Sequence, residues 1–199
     1  MSDKASARVG RRWLIPLCVG GALLGGLGAA ALGIYWGAYN VAADDPHSES
    51  VYRLLAAVRD RSITVRAADI NVPPDLSEPG RIASGAGQYV DMCSSCHLAP
   101  GMKRTEISRG LYPRAPELRR GSRATPAEDF WVVKHGIKAT GMPAWGVTHS
   151  DKLLWDLVAF VRKLPELSAD EYQAIVRSAP KSHDEIMEGM EMEGSHGDH

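Results

Sequence analysis

From Trp13 to Ala43 the chain reads "WLIPLCVGGALLGGLGAAALGIYWGAYNVAA", with no Asp, Glu, Lys, Arg or His. About 20 apolar residues are enough to cross a bilayer as a helix, so this run constrains the fold more than any other feature. Lys4, Arg8, Arg11 and Arg12 precede it and only Asp3 opposes them. Cationic flanks stay in the cytoplasm, which places the rest of the chain outside. Trp13 at one end and Tyr35, Trp36 and Tyr39 at the other suit the two interfaces, so membrane contact is expected over Trp13–Tyr39. The rival is a cleaved signal peptide, with "VAA" at Val41–Ala43 as the cleavage site, but its apolar region would span only roughly 7–15 residues. Arg11–Arg12 faintly suggests twin-arginine export. "IPL" before Cys18 lacks the small residues of a lipoprotein site, so Cys18 reads as an apolar membrane residue. Gly21 and Gly25, then Gly33 and Gly37, stand four apart, a spacing that lets two membrane helices approach and that is also common in such helices.

The net charge of -1 conceals a division. Residues 81–166 hold 13 Lys/Arg and 8 Asp/Glu, whereas residues 167–199 hold 2 and 8. A basic domain is therefore followed by an acidic tail, and nothing points to a nucleic-acid partner. Beyond the anchor, Val51, Leu54, Leu55 and Val58 recur at helical spacing and predict a short amphipathic helix. "INVPPDLSEPG" reads as an extended connector. A helix is expected from about Glu78 to Met92, and residues 98–124 look irregular. Thr125, Pro126 and Glu128 carry a capping box and a first-turn proline for the next helix, which Gly136 ends. A final core helix starts near His149 and stops at Pro165, with Leu154, Leu157, Val158, Val161 and Leu164 on one face. A short helical segment over Ala169–Val176 follows, and the acidic end is expected to be disordered.

Chemistry concentrates in "CSSCH", Cys93 to His97. Zinc would need two such pairs, and the third cysteine, Cys18, lies in the membrane run. A thioredoxin-type pair would follow a buried strand and open a helix, but this pair follows the helix-like "GAGQYVDM". The third reading is covalent haem: two thiols add to two porphyrin vinyl groups and His97 then lies beneath the iron. C-x-x-C-H is the attachment signature of a c-type haem, and export of the domain agrees with that chemistry.

Residues 78–166 resemble a class I c-type cytochrome, of the single-haem bacterial kind also found as domains of terminal oxidase and dehydrogenase subunits. The likeness lies in four ordered pieces: "GAGQYVDMCSSCH", "APEL", "GIKATGMPAWG" and "LLWDLVAFVRKL". It implies a mainly α, class I cytochrome c-like domain behind an N-terminal transmembrane helix. It also implies one covalent haem c on Cys93 and Cys96, with His97 and Met142 as axial ligands. Gly85 and Tyr89 match a glycine and an aromatic on the family's first helix, where the last helix crosses and supplies Phe160 or Trp155. With both faces of the iron filled, electron transfer is expected; an open-site haem enzyme or sensor would leave one face free. Met/His ligation also raises the potential. Pro100 is the candidate acceptor for the other ring nitrogen of His97. Trp145 either bonds a propionate or packs over the haem edge, and His135 reads as a helix-end residue. The long basic loop over 98–124 departs from the pattern; a partner-docking surface, a cover for the propionates and a solvated connector are its three readings.

The expected organisation is a basic end and anchor over 1–40, an amphipathic helix and linker over 41–77, a cytochrome c domain over 78–166 and an acidic tail over 167–199. The expected protein is a single-pass component of a bacterial inner membrane with its haem domain in the periplasm. It would pass electrons between a redox donor and acceptor, free or within an oxidase or dehydrogenase complex. A second class of function rests on the tail, where His183, Met187, Met190, Met192, His196 and His199 are candidate copper ligands. That reading is a copper-handling or oxidase-assembly accessory protein.

Overall fold

The computed structural model describes residues 3–179, with side chains from Pro16 onward. Among the described residues there are eight α-helices and no strand, the mainly α class expected. The chain divides into two compact units, Met1–Asp45 and Pro46–His199.

In the first unit, α1 (Asp3–Tyr35) contains Pro16. Its Pro16–Tyr35 part has a mean hydropathy of 1.9 and is long and apolar enough to cross a membrane. The helix stops at Tyr35, before the uncharged run ends at Ala43, and Gly37 takes a left-handed φ of 64° just beyond it. The space beside Gly21 and Gly25 is open.

The second unit contains α2 (Glu49–Ala67), α3 (Pro79–Met92), α4 (Ser94–His97), α5 (Glu106–Gly110), α6 (Pro126–His135), α7 (Asp151–Lys163) and α8 (Ala169–Arg177). Its centre is the crossing of α3 and α7. At Gly85 the two backbones come so close that a Cβ would lie 2.0 Å from the Asp156 carbonyl oxygen. Beside that crossing, the Tyr89 and Phe160 rings pack at 5.3 Å. Phe160, not Trp155, is thus the aromatic that answers Tyr89. Ala86, Cys93, Leu157, Leu164 and Tyr172 complete this core. Trp155 belongs to a second cluster, stacked on Phe130 at 4.2 Å with Leu154 and Val158 around them. Fully burying one such side chain stabilises a fold by about 1.5–3 kcal/mol, so these helices are held mainly by their shared faces.

The helix starts follow local chemistry. Thr125 and Glu128 form the expected capping box on α6, with Pro126 in its first turn. Ser150, rather than His149, caps α7; His149 is buried behind it, with its amide bonded to the Trp145 carbonyl. Ser168 and Glu171 cap α8 in the same reciprocal way.

Three segments differ from expectation. α2 runs to Ala67, about two turns past its last periodic apolar residue. The proline-rich connector lies on the domain: Ile70 and Leu76 pack against the Phe130–Trp155 cluster. Asp75 also pairs with Arg81 at 2.9 Å, and Arg81 reaches the buried Asp156 at 2.7 Å. Residues 98–124 contain α5, capped by Thr105, and a 3-10 turn at Leu118–Arg120. The candidate copper ligands from His183 to His199 lie outside the described residues.

Candidate haem site

α3 delivers the site through one face. Tyr89 is fully buried and its phenol donates to the Leu98 carbonyl at 2.5 Å. Cys93 ends α3, and the single turn of α4 then brings Cys96 and His97 round, their amides returning to the Cys93 carbonyl at 3.2 and 2.9 Å. Neither cysteine is in a disulfide; Cys93 is buried and Cys96 half-buried. Leu98 follows with φ 61°. With ψ 166° it lies in the positive-φ extended region, which costs a residue with a Cβ about 1–3 kcal/mol, and the Tyr89 bond together with full burial of the leucine side chain holds it there.

His97 is half-buried, and its Nδ1 lies 2.9 Å from the Pro116 carbonyl oxygen. A carbonyl only accepts, so Nδ1 carries the proton and Nε2 keeps its lone pair for a metal. Burial holds the imidazole below its ordinary pKa, with the Pro116 carbonyl partly opposing. The acceptor expected from the sequence was Pro100. The chain turns sharply at Leu98 and again at Gly101, where φ is 80°, and the carbonyl that meets the ring comes instead from the next loop. That loop is braced beside Pro116: Glu117 pairs with Arg119 and Arg120 at 2.9 Å and with Arg104 at 3.6 Å. These pairs hold its carboxyl below the usual range, Arg119 contributing most. Three of the seven basic residues of 98–124 therefore share one carboxylate inside the loop.

Met142 is half-buried in the loop after α6. Its carbonyl accepts from the Ile137 amide at 3.2 Å, and its amide donates to the Thr140 hydroxyl at 3.1 Å. A Cβ on Gly136 would meet the Met142 carbonyl at 2.7 Å, and one on Gly141 would meet Leu111 at 2.4 Å. Both glycines thus let the loop close. Met102, five residues after His97, packs against the core at the α3–α7 crossing, and its amide donates to the Ala99 carbonyl at 3.0 Å. Trp145 packs against the Phe130–Trp155 cluster and meets His149 edge-on at 5.7 Å. His135 is exposed at the end of α6, 5.0 Å from the Trp131 ring.

The donor set fits a covalently held haem: two thiols and an imidazole with one free nitrogen on a single turn. It does not fit the rivals. Burial pushes the Cys93 thiol up to about 12, whereas a redox-active thiol is lowered. No group of three or more metal-binding side chains occurs among the described residues.

The fold and this turn are similar to those of a class I c-type cytochrome domain, a class that binds haem and transfers electrons. Residues 80–161 match the family model described as cytochrome c oxidase, cbb3-type, subunit III. No curated protein and no solved structure matches the chain significantly.

Sequence reasoning missed the Tyr89 bond and the Pro116–Glu117 brace. The second had a signal: "APEL", one of the four matching pieces, contains both residues.

Proposed function

We propose that this chain is a membrane-anchored, periplasmic electron carrier with one haem c, bound through thioethers at Cys93 and Cys96. His97 and Met142 are its axial ligands, and its donor and acceptor are proteins of a respiratory or dehydrogenase complex. The observation that carries the reading is the His97–Pro116 bond on the C-x-x-C-H turn, which fixes the tautomer and orientation that an iron ligand needs. Bound haem supplies one-electron chemistry at iron. The chain's part is to hold both ligands still. Pro116 and Tyr89 steady the His97 turn, while Thr140 and the Ile137 amide steady Met142. Met102, engaged in the core, is the poorer candidate for the second ligand. Residues 1–40 anchor the domain, and the apolar helix that can cross a membrane supports this.

The test is spectroscopic. Cys93→Ala with Cys96→Ala abolishes haem that survives acid-acetone extraction. Met142→Ala removes the weak sulfur-to-iron absorption at the red end of the oxidised spectrum and lowers the potential, while Met102→Ala leaves both unchanged. An unaltered spectrum in Met142→Ala would move the reading to an open-site haem protein. Extraction of the haem protein from membranes by high salt alone would remove the anchor from it.

A further inference from the structure

Between α2, α6 and the loop that leads to Met142 lies a cavity of about 570 Å³, within the roughly 300–1,000 Å³ typical of small-molecule sites. Leu55, Val58, Tyr112, Trp131 and Ile137 give it apolar walls, and Arg59, Arg66 and Lys138 also line it. None of its lining residues is a carboxylate. α2 spans it under restraint at both ends. Near the start of α2 the His47 amide donates to the Tyr112 hydroxyl at 3.0 Å, and near its end the Thr64 hydroxyl donates to Glu128 at 2.7 Å. Leu55 and Val58 remain 51% and 60% exposed on the strap so held.

Cys93, Cys96, His97 and Met142 do not line this cavity, so it is not where the iron or the thioethers lie. It borders the Met142 loop, because Ile137 and Thr140 both line it and both bond the Met142 backbone. The two vinyl groups of a haem leave one edge of the ring and the two propionates leave the opposite one. A space away from the cysteines, beside the distal loop, apolar in its walls and cationic without carboxylates, has the chemistry of that opposite edge. Arg59 gives Nε to Asp60 at 2.7 Å and Arg66 gives one terminal nitrogen to Ser62 at 2.8 Å. A guanidinium has five donors, so each keeps N–H groups for a carboxylate.

We infer that α2, which lies outside the family-matched stretch, closes the haem crevice, with Leu55 and Val58 against the propionate edge and Arg59 and Arg66 facing the propionates. The inference rests on the haem reading above.

The test uses the full-length haem protein. Arg59→Gln with Arg66→Gln lowers the reduction potential, because removing cations beside the ring favours the oxidised iron. Arg53→Gln with Arg61→Gln takes the same charge from the same helix outside the cavity and leaves the potential near wild type. Leu55→Glu speeds cyanide binding to the oxidised protein by about tenfold, as a tenfold larger open population would; Leu54→Glu, on the same helix but off the cavity, does not. Equal potentials in the two arginine pairs, or equal cyanide rates in the two leucine variants, with covalent haem intact, overturn the inference and leave the haem reading standing. Wild-type protein that carries no haem on a denaturing gel overturns the haem reading itself.

Discussion

Gly85→Ala tests the helix crossing on which the site depends. The added Cβ would lie 2.0 Å from the Asp156 carbonyl oxygen, 2.6 Å from its carbon and 2.9 Å from Phe160 Cβ. Ordinary contact begins near 3.4 Å, so α3 and α7 must move apart by more than an ångström at their tightest point. The atoms in the way are backbone and a Cβ, none of which can rotate aside. Overpacking costs about 1–3 kcal/mol and more when backbone must shift, while alanine in a helix recovers about 1 kcal/mol over glycine. A net loss of about 2 kcal/mol or more follows, which lowers the melting temperature by roughly 4–8 °C for a unit of the size of Pro46–His199. Gly80→Ala is the control, since nothing lies within 4 Å of its new methyl in the same helix. Thermal and urea unfolding of both haem-loaded variants read the difference. A Gly85→Ala protein as stable as wild type would refute the idea that backbone contact sets this crossing.

Tyr89→Phe removes the bond to the Leu98 carbonyl and leaves that buried acceptor without its partner, a loss of about 1–3 kcal/mol in urea unfolding. Glu117→Gln weakens the three-arginine brace beside Pro116, so the potential of the bound haem shifts in redox titration while covalent attachment is retained. Glu128 is held below its usual pKa by the Thr125 backbone amide first and the Thr64 hydroxyl second. A depressed folded value gives stability that is present above about pH 4.5 and lost as pH falls through the folded value. Wild type therefore exceeds Glu128→Gln at pH 7, by a few tenths of a kcal/mol after solvent screening, and the gap closes as pH falls below about 4.5 through the folded value. A fragment beginning at residue 46 unfolds at higher urea than one beginning at residue 78, because the shorter one loses Ile70 and Leu76 from the Phe130–Trp155 cluster.

Features set by short-range chemistry could be read from the residues alone. Thr125, Pro126 and Glu128 announce the start of α6 because all the groups of a capping box lie within one turn. Gly85 and Tyr89 were expected at the crossing only through the resemblance to class I cytochromes, and the structure puts both where α3 meets α7. The choice between Phe160 and Trp155 was not legible, because both lie on the buried side of α7 and only the packed structure assigns one to each cluster. Pro116 was missed for a related reason. It is 19 residues from His97, and no local rule says which carbonyl of an irregular loop will reach a ring. Pro100 is nearer in sequence, but a positive-φ Leu98 is rarely anticipated at a residue with a branched side chain. The connector over residues 70–80 carries every local mark of an exposed linker, and its apolar Ile70 and Leu76 acquire meaning only beside Phe130 and Trp155.

The two sides of the proposed iron site are built differently. His97 lies in a helical turn whose neighbours are fixed from three directions: Tyr89 on Leu98, Pro116 on the ring, and the Thr105 hydroxyl on the Ser95 carbonyl. Met142 lies in a loop closed by backbone contacts across Gly136 and by one hydroxyl, Thr140. The first arrangement contains a buried phenol and a braced loop. The second contains exposed neighbours on both sides, Gly141 and Pro143. Segments with fewer buried contacts open at lower free energy, so in the haem protein the Met142 side opens first and the His97 side persists. A strap such as α2 across that weaker side raises the cost of opening it. That is a physical reason for a helix outside the family-matched stretch to be bound at both its ends beside the distal loop.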